Sequence, residues 1–359
     1  MKESLDSRQS TLIRAMRFPL MVMVLYVHSL GFSDAVISND FSSWNCYHFF
    51  SEMISHNLGA IAVCWFYTFS GYLFFCSLKD GEFSSRWVAT KWKKRLHSLL
   101  IPYLIWNLLP VVATLLKNLL FARLGYPEDE GMAYVRQLNI VEWLWDGPIN
   151  YPLYYIRDLI IMSVLAPLLY LIASRFKWGS MAALFLIYIS PLNIPIPGLR
   201  AIFFFGIGAW MGIYRVNLIW LCRKVEIPAL IVAIITLIIC TYYNSAPYHG
   251  YLLRAFYPFG MITFMNICDK LIDNENRCNR MCNLASAVFI IYATHEIYIL
   301  GWTKGLFLRV FGDGLLGSWV RYLFVPVVVL IACLFIYWLL NRFMPKTLAF
   351  VCGGRVDKK

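Results

Sequence analysis

Ten apolar runs, most of them long enough to cross a lipid bilayer as a helix, dominate this chain of 359 residues. They lie at 15–32, 59–78, 98–120, 152–173, 180–194, 199–214, 226–243, 250–268, 284–302 and 319–341. A helix needs about 20 such residues to span the hydrocarbon core. Sixty per cent of the residues are apolar and 14% are charged, whereas a soluble domain is about a quarter charged. Polar groups could not cover that much apolar surface, so lipid is the solvent for most of the chain. Soluble multidomain, disordered and disulfide-framed secreted classes are excluded together. The expected fold is an all-α integral membrane protein, a bundle of about ten transmembrane helices forming one domain over 1–359 with no soluble domain appended. The fifth and sixth runs are short and flanked by Pro191, Pro195, Pro197 and Gly198. A tight hairpin and a re-entrant pair are both open for them. The first run follows a basic segment but carries no small-x-small cleavage site, so it reads as a retained helix.

The net charge of +12 has a topological explanation. With the N-terminus placed in the cytoplasm, the inner segments hold 23 Lys and Arg against 9 Asp and Glu, and the outer ones 9 against 11. That split, +14 against −2, satisfies the positive-inside rule with both termini cytoplasmic. Nucleic acid is not needed to explain the charge, and the lipid bilayer is the expected partner. The longest segments outside the spans, 33–58 and 121–151, both fall on the outer side. The ten cysteines include no Cys-x-x-Cys pair, and Cys278 and Cys282 stand without a second pair, so no metal motif emerges.

Ionisable residues inside spans are costly and need a reason. Arg17 and His28 in the first run are eleven residues apart. Eleven steps of about 100° bring both side chains to one face, roughly 20° apart, and about 16 Å apart along the axis. Arg17 sits at the cytoplasmic end and His28 past mid-membrane. In the ninth run His295 comes to a similar depth, with Glu296 beside it. Two histidines and a carboxylate at one level suit proton transfer. A structural network between helices would use the same residues. No His-x-x-x-His or His-x-x-Glu spacing supports a metal, and none is expected. Arg157 and Asp158, with Arg200 and Arg254, lie near the outer ends of their runs. They suit either snorkelling to the headgroups or an outward-open polar pocket. There is no Gly-x-Ser-x-Gly elbow and no Walker-type loop. The run from Phe203 to Gly212 carries glycines four apart, which reads as close helix packing.

Six stretches in order resemble the membrane-bound acyltransferase family 3. These are Arg17 with His28 after ten intervening residues; Phe66 to Tyr72, ending Ser-Gly-Tyr; and the basic run Lys93-Lys94-Arg95 leading to Pro102-Tyr103. They continue with Tyr154 to Leu159, Phe203 to Gly212, and Tyr292-Ala-Thr-His295. The third departs from the family's arg-x-x-arg, reading Arg95-Leu-His97-Ser98.

The resemblance implies transfer of an acyl group, usually acetyl, from cytoplasmic acyl-CoA to a hydroxyl of a surface polysaccharide or lipid-linked saccharide. The setting it implies is a bacterial cytoplasmic membrane. Arg17, with Arg14 and Arg95, would hold the CoA phosphates. His28, supported by His295 and Glu296, would serve as general base or as a transient acyl carrier. Arg157, Asp158 and Arg200 would face the acceptor. Trp44, Tyr47, Glu142, Trp143, Trp145 and Asp146 in the two outer segments would contact sugar, or lie at the headgroup level. A polytopic transporter or exporter of a glycan or small acid is the alternative.

Overall fold

The computed structural model describes residues 2–30, 36–38, 40–78, 82–127, 130–137, 139 and 141–354. Among them there is helix and no strand. The chain opens with α1 (Lys2–Ser29), α2 (Ser43–Glu52) and α3 (Ile61–Phe75), then α4 (Ser85–Arg95), α5 (Ile101–Arg123) and α6 (Glu130–Gln137). The middle holds α7 (Tyr154–Phe176), α8 (Trp178–Ile189), α9 (Leu199–Ile213), α10 (Leu218–Lys224), α11 (Glu226–Tyr242) and α12 (His249–Leu271). The last part holds α13 (Glu275–Leu284), α14 (Val288–Thr294), α15 (Leu300–Phe311), α16 (Leu315–Phe343) and α17 (Pro345–Val351).

Among the described residues each of the ten apolar runs falls mostly on helix, but they do not all have the length to cross alone. Six continuous helical stretches do by length and composition: Ser7–Ser29, Ser43–Phe75, Ser85–Arg123, Tyr151–Phe176, Glu275–Phe311 and Leu315–Phe343. A seventh counts if α9 and α10, bent by 113°, form one span. The fifth run becomes α8, of 12 residues, which at 1.5 Å per residue is about 18 Å, well short of a hydrocarbon core of ~30 Å. α11, with 17 residues, also falls short of that thickness. α12 has 23 residues, but Arg254, Asp269 and Lys270 make it less apolar. The protein is therefore an all-α membrane protein with six or seven independently long spans and shorter helices packed among them.

Lipid as solvent is legible on the outer helices. On α11, Ile227, Ile231, Ile234 and Ile238 are each about half exposed or more, and their spacing puts them on one outward stripe. Ala229, Ala233 and Cys240 are buried on the face that meets α12. α1 takes the central place and packs against α3, α12, α13, α14 and α16. Leu12, Met16, Leu20 and Leu25 are among its fully buried side chains.

The glycines from Phe203 to Gly212 do serve close packing, and their partner is α3. A Cβ at Gly208 would strike the Thr68 carbonyl, and one at Gly71 the Phe205 carbonyl. Backbone thus lies directly on backbone, as small residues permit between membrane helices. At the start of α1, Arg8 bonds Asp269 at 2.7 Å and Asp273 at 2.8 Å, while Arg223 reaches Asp269 at 2.5 Å. Gln9 joins Tyr72 of α3 and the Leu218 amide of α10. These contacts fix α1 against its neighbours at the end away from His28.

One boundary differs from the sequence reading. Segment 33–58, expected to lie outside the spans, is helical from Ser43 through a π-helical turn at Met53–Leu58 and leads into α3. Ser42 caps it by accepting the Asn45 amide. Residues 33–35 and 39 of that segment lie outside the described residues, as do Lys358 and Lys359 of the tail.

Candidate active site

His28 lies in the last turn of α1, and its Nδ1 is 3.2 Å from Glu296 Oε1. The His28 and His295 ring centres are 5.1 Å apart. Neighbouring residues of a regular helix point about 100° apart, and here both His295 and Glu296 reach His28. His295 keeps helical backbone, and the helix breaks only after Glu296. After α14 a π-type turn runs from His295 to Ile299, with Ile297 and Tyr298 non-helical and Tyr298 at φ 61°. A tyrosine in that left-handed region costs about 1–3 kcal/mol and needs support around it. Support comes from α5: Thr114 Oγ1 is 2.7 Å from the Tyr298 hydroxyl, and Lys117 lies over its ring.

The hydrogen bonds also order the protons. His295 is fully buried, with Nδ1 at 3.0 Å from the Ile291 carbonyl and 2.9 Å from that of Tyr292. Carbonyls only accept, so Nδ1 carries the proton and Nε2 keeps its lone pair. That Nε2 has no hydrogen-bond partner among the described residues. Glu296 accepts from His28 Nδ1 in the same way, which leaves His28 Nε2 as the basic nitrogen. Lys304 of α15 donates to the His28 carbonyl at 2.7 Å, a cation at a helix C-terminus. One donor atom from each of His28, His295 and Glu296 lies within 4.8 Å of the others, a spacing that a metal ion could also use.

Two cavities share His28 as wall. The smaller, about 300 Å³, runs past Arg17, Met21, Ser70, Arg95 and Tyr292. The larger, about 860 Å³, holds Glu296, Arg200, Arg254, Tyr188 and Tyr257. Val24, Val63 and Tyr154 line both. Arg17 and His28 thus do line one cavity, as their register requires. Arg95 joins them, with its guanidinium donating to the Ser70 carbonyl at 3.1 Å and lying over Phe74. Arg14 does not line either cavity and is exposed. It precedes Arg17 by three residues, which turns it about 60° round the helix.

A third cavity, about 340 Å³, is lined by Tyr67, Asp146, Arg157, Asp158 and Arg200. Arg157 and Asp158 are buried, at 5% and 4% exposure, so Arg157 does not snorkel to headgroups. Its Nη1 donates to the Trp145 carbonyl at 2.6 Å and the Asp146 carbonyl at 3.2 Å, while Nε and Nη2 reach Asp158. Tyr67 donates to the other Asp158 oxygen at 3.0 Å. The pair fastens the segment before α7, and it meets the larger cavity through Arg200, which lines both. Arg254 is committed to the Tyr188 and Ser190 carbonyls.

The outer aromatics divide. Tyr47 is buried edge-on against Trp319 at 5.1 Å. Glu142 bonds the Asn139 amide. Trp44 and Trp145 are exposed, and the Trp143 side chain lies outside what is described. Residues absent from the sequence reading also reach the larger cavity: Glu52, His56, Asn57 and His249. The Glu-x-x-x-His spacing of Glu52 and His56 is the available signal, hidden because hydropathy places its segment outside the spans.

The acyltransferase-3 family model, described as an acyltransferase domain, matches residues 12–338. The chain belongs to this family. The succinoglycan biosynthesis protein ExoH of Rhizobium meliloti (strain 1021) is 30% identical over 250 residues, 68% of this chain and 65% of that protein. The chain thus spans about two thirds of the length of that relative. No solved structure matches. In this chain an imidazole hydrogen-bonded to a carboxylate stands where two cavities meet, and arginines line the narrower one.

Proposed function

We propose that the protein carries an acyl group, acetyl in the simplest case, from cytoplasmic acyl-CoA to a hydroxyl of a cell-surface glycan or lipid-linked saccharide. The observation that carries this is the shared wall: His28 borders both the arginine-lined cavity and the larger polar one. A donor and an acceptor kept on opposite sides of a membrane need a meeting point of that kind. The name of the relative ties it to succinoglycan synthesis, which supports a glycan as acceptor.

Arg17 and Arg95 would bind the CoA phosphates by charge-assisted bonds, with the pantetheine arm reaching about 16 Å toward His28. His28 Nε2 would take the proton of the acceptor hydroxyl while its oxygen attacks the thioester carbon. The tetrahedral intermediate then expels the CoA thiolate, which recovers the proton from His28. Glu296 would hold the ring in the required tautomer and stabilise the imidazolium. An acyl-imidazole route would use the same nitrogen. Arg200, with the Arg157–Asp158 pair behind it, would position the acceptor. All ten runs crossing, both termini cytoplasmic, and a bacterial inner membrane complete the reading, with no metal required.

Membranes containing the protein should release CoA from acetyl-CoA, and surface glycan from cells carrying it should gain an acyl increment by mass spectrometry. Transport of a glycan without CoA release would favour the exporter reading instead.

A further inference from the structure

The larger cavity carries a second polar group that the proposed chemistry does not use. Glu52 ends α2, and His56 follows one turn later, with its Nδ1 at 2.7 Å from Glu52 Oε2. Glu52 is 6% exposed and Asn57 is fully buried. Asn57 donates through Nδ2 to Thr241 Oγ1 at 2.9 Å, which leaves its Oδ1 with no partner among the described residues. His249, at the start of α12, lines the same cavity as Glu52 and His56, and its buried Nε2 also lacks a partner among the described residues. All four residues line the cavity wall.

Two buried polar atoms without partners in one wall are unusual, because each has given up water for nothing in return. A ligand hydroxyl would satisfy both kinds of atom, since it donates and accepts. The chemistry of the group narrows the ligand. The carboxylate of Glu52 is hydrogen-bonded to an imidazole and Asn57 is neutral, so the group offers directional bonds and no fixed cation to hold an anion. That suits an uncharged polyol better than an anion. Among the described residues, the cluster with donors close enough to share a metal ion is the one at His28, not this one. Tyr188 and Tyr257 line the same cavity and offer aromatic faces for the C–H side of a ring.

The geometry points to an acceptor subsite in which Glu52, Asn57 and His249 hold an uncharged sugar ring by its hydroxyls, while another ring of the same glycan meets His28. This rests on the acyltransferase reading given above and adds the residues that would select the acceptor.

The test uses the full chain in lipid nanodiscs, with methyl β-D-glucopyranoside as the sugar probe and acetyl-CoA as the donor. A saturation-transfer NMR titration should show the glucoside binding the wild type. Glu52→Gln and His249→Ala should each weaken it about tenfold or more, since the loss of one partner leaves a hydroxyl and its neighbours unpaired. His28→Ala should retain the glucoside. Acetyl-CoA affinity should stay unchanged in both subsite variants, which also certifies their fold. Should Glu52→Gln fold poorly, His249→Ala decides alone, because its site is at a half-exposed helix start. Undiminished glucoside binding in the folded variants, or none in the wild type, would overturn the subsite. A wild type that neither binds nor consumes acetyl-CoA would instead overturn the acyltransferase chemistry, so the two failures are told apart.

Discussion

His28 and Glu296 make contact across the helix interface through a single 3.2 Å pair, and most of the expected chemistry depends on what that pair does to one nitrogen. His28→Ala should lower turnover by ~10²–10⁴, the range lost with a general base, measured as CoA release in membranes with verified protein levels. Retained acyl transfer in that variant would remove His28 from the reaction. Glu296→Gln keeps the shape but not the charge, and should lower kcat by at least about tenfold while leaving the KM for acetyl-CoA nearly unchanged. Arg17 lines the smaller cavity with His28. Arg17→Ala should chiefly raise the KM for acyl-CoA, with Arg17→Lys milder because it keeps charge and loses only the bidentate fork. Both Arg17 and His28 were legible from an eleven-residue register, and His295 with Glu296 from depth alone. Lys304 and the Glu52–His56 pair were not. Lys304 works through a backbone carbonyl, which leaves no pattern in sequence, and Glu52 sits in a segment whose polar residues outweigh its helical spacing.

At the scale of elements, the α3–α9 contact fixes one wall of the site, since α3 carries Val63 and Ser70 into the cavities. Gly208→Ala would drive a methyl into the Thr68 carbonyl, which belongs to backbone and cannot turn aside. It should cost about 1–3 kcal/mol, the usual penalty for overpacking, read as a lower thermal midpoint in detergent. Gly305→Ala on α15 meets open space and should be neutral or slightly stabilising. Equal effects from the two substitutions would mean the close approach is not real. The glycine spacing announced a tight contact, but it could not name α3 as the partner, because both helices are apolar on every side.

The same scale holds an acid-sensitive contact at the start of α1. Arg8 bonds Asp273 and holds its carboxyl below the usual carboxylate range. A folded pKa below the unfolded one contributes stability above the unfolded value, 3.8, and loses it as pH falls through the folded value. The difference in thermal midpoint between wild type and Asp273→Asn should therefore be present at neutral pH and close under acid conditions. It should be small throughout, because the pair is exposed.

For the whole molecule, the question is how many helices cross. Composition made the all-α membrane class plain, and every apolar run is mostly helix among the described residues, but hydropathy alone could not say which short helices traverse. α8 and α11 are too short to span an unthinned core unaided, and α9 bends sharply into α10. The charges at the connections between them do not choose. Arg175 and Lys177, then Arg215, Arg223 and Lys224, sit at alternate connections, while the connections at 190–198 and 244–248 carry no Lys, Arg, Asp or Glu. The basic groups stay on one side whether these helices cross in pairs or not at all, so the charge split is met by either number of crossings. Reporters fused after residue 145 should read external and after 278 internal. Those two positions fall on opposite sides whether or not the helices from α8 to α12 all cross, so they fix orientation and not number. Insertions at 194 and 246 decide the number. Both should read external if all ten runs cross. Both should read internal, alongside 178 and 216, if only the six long helices do, and the larger cavity would then lack its route to an acceptor on the far side.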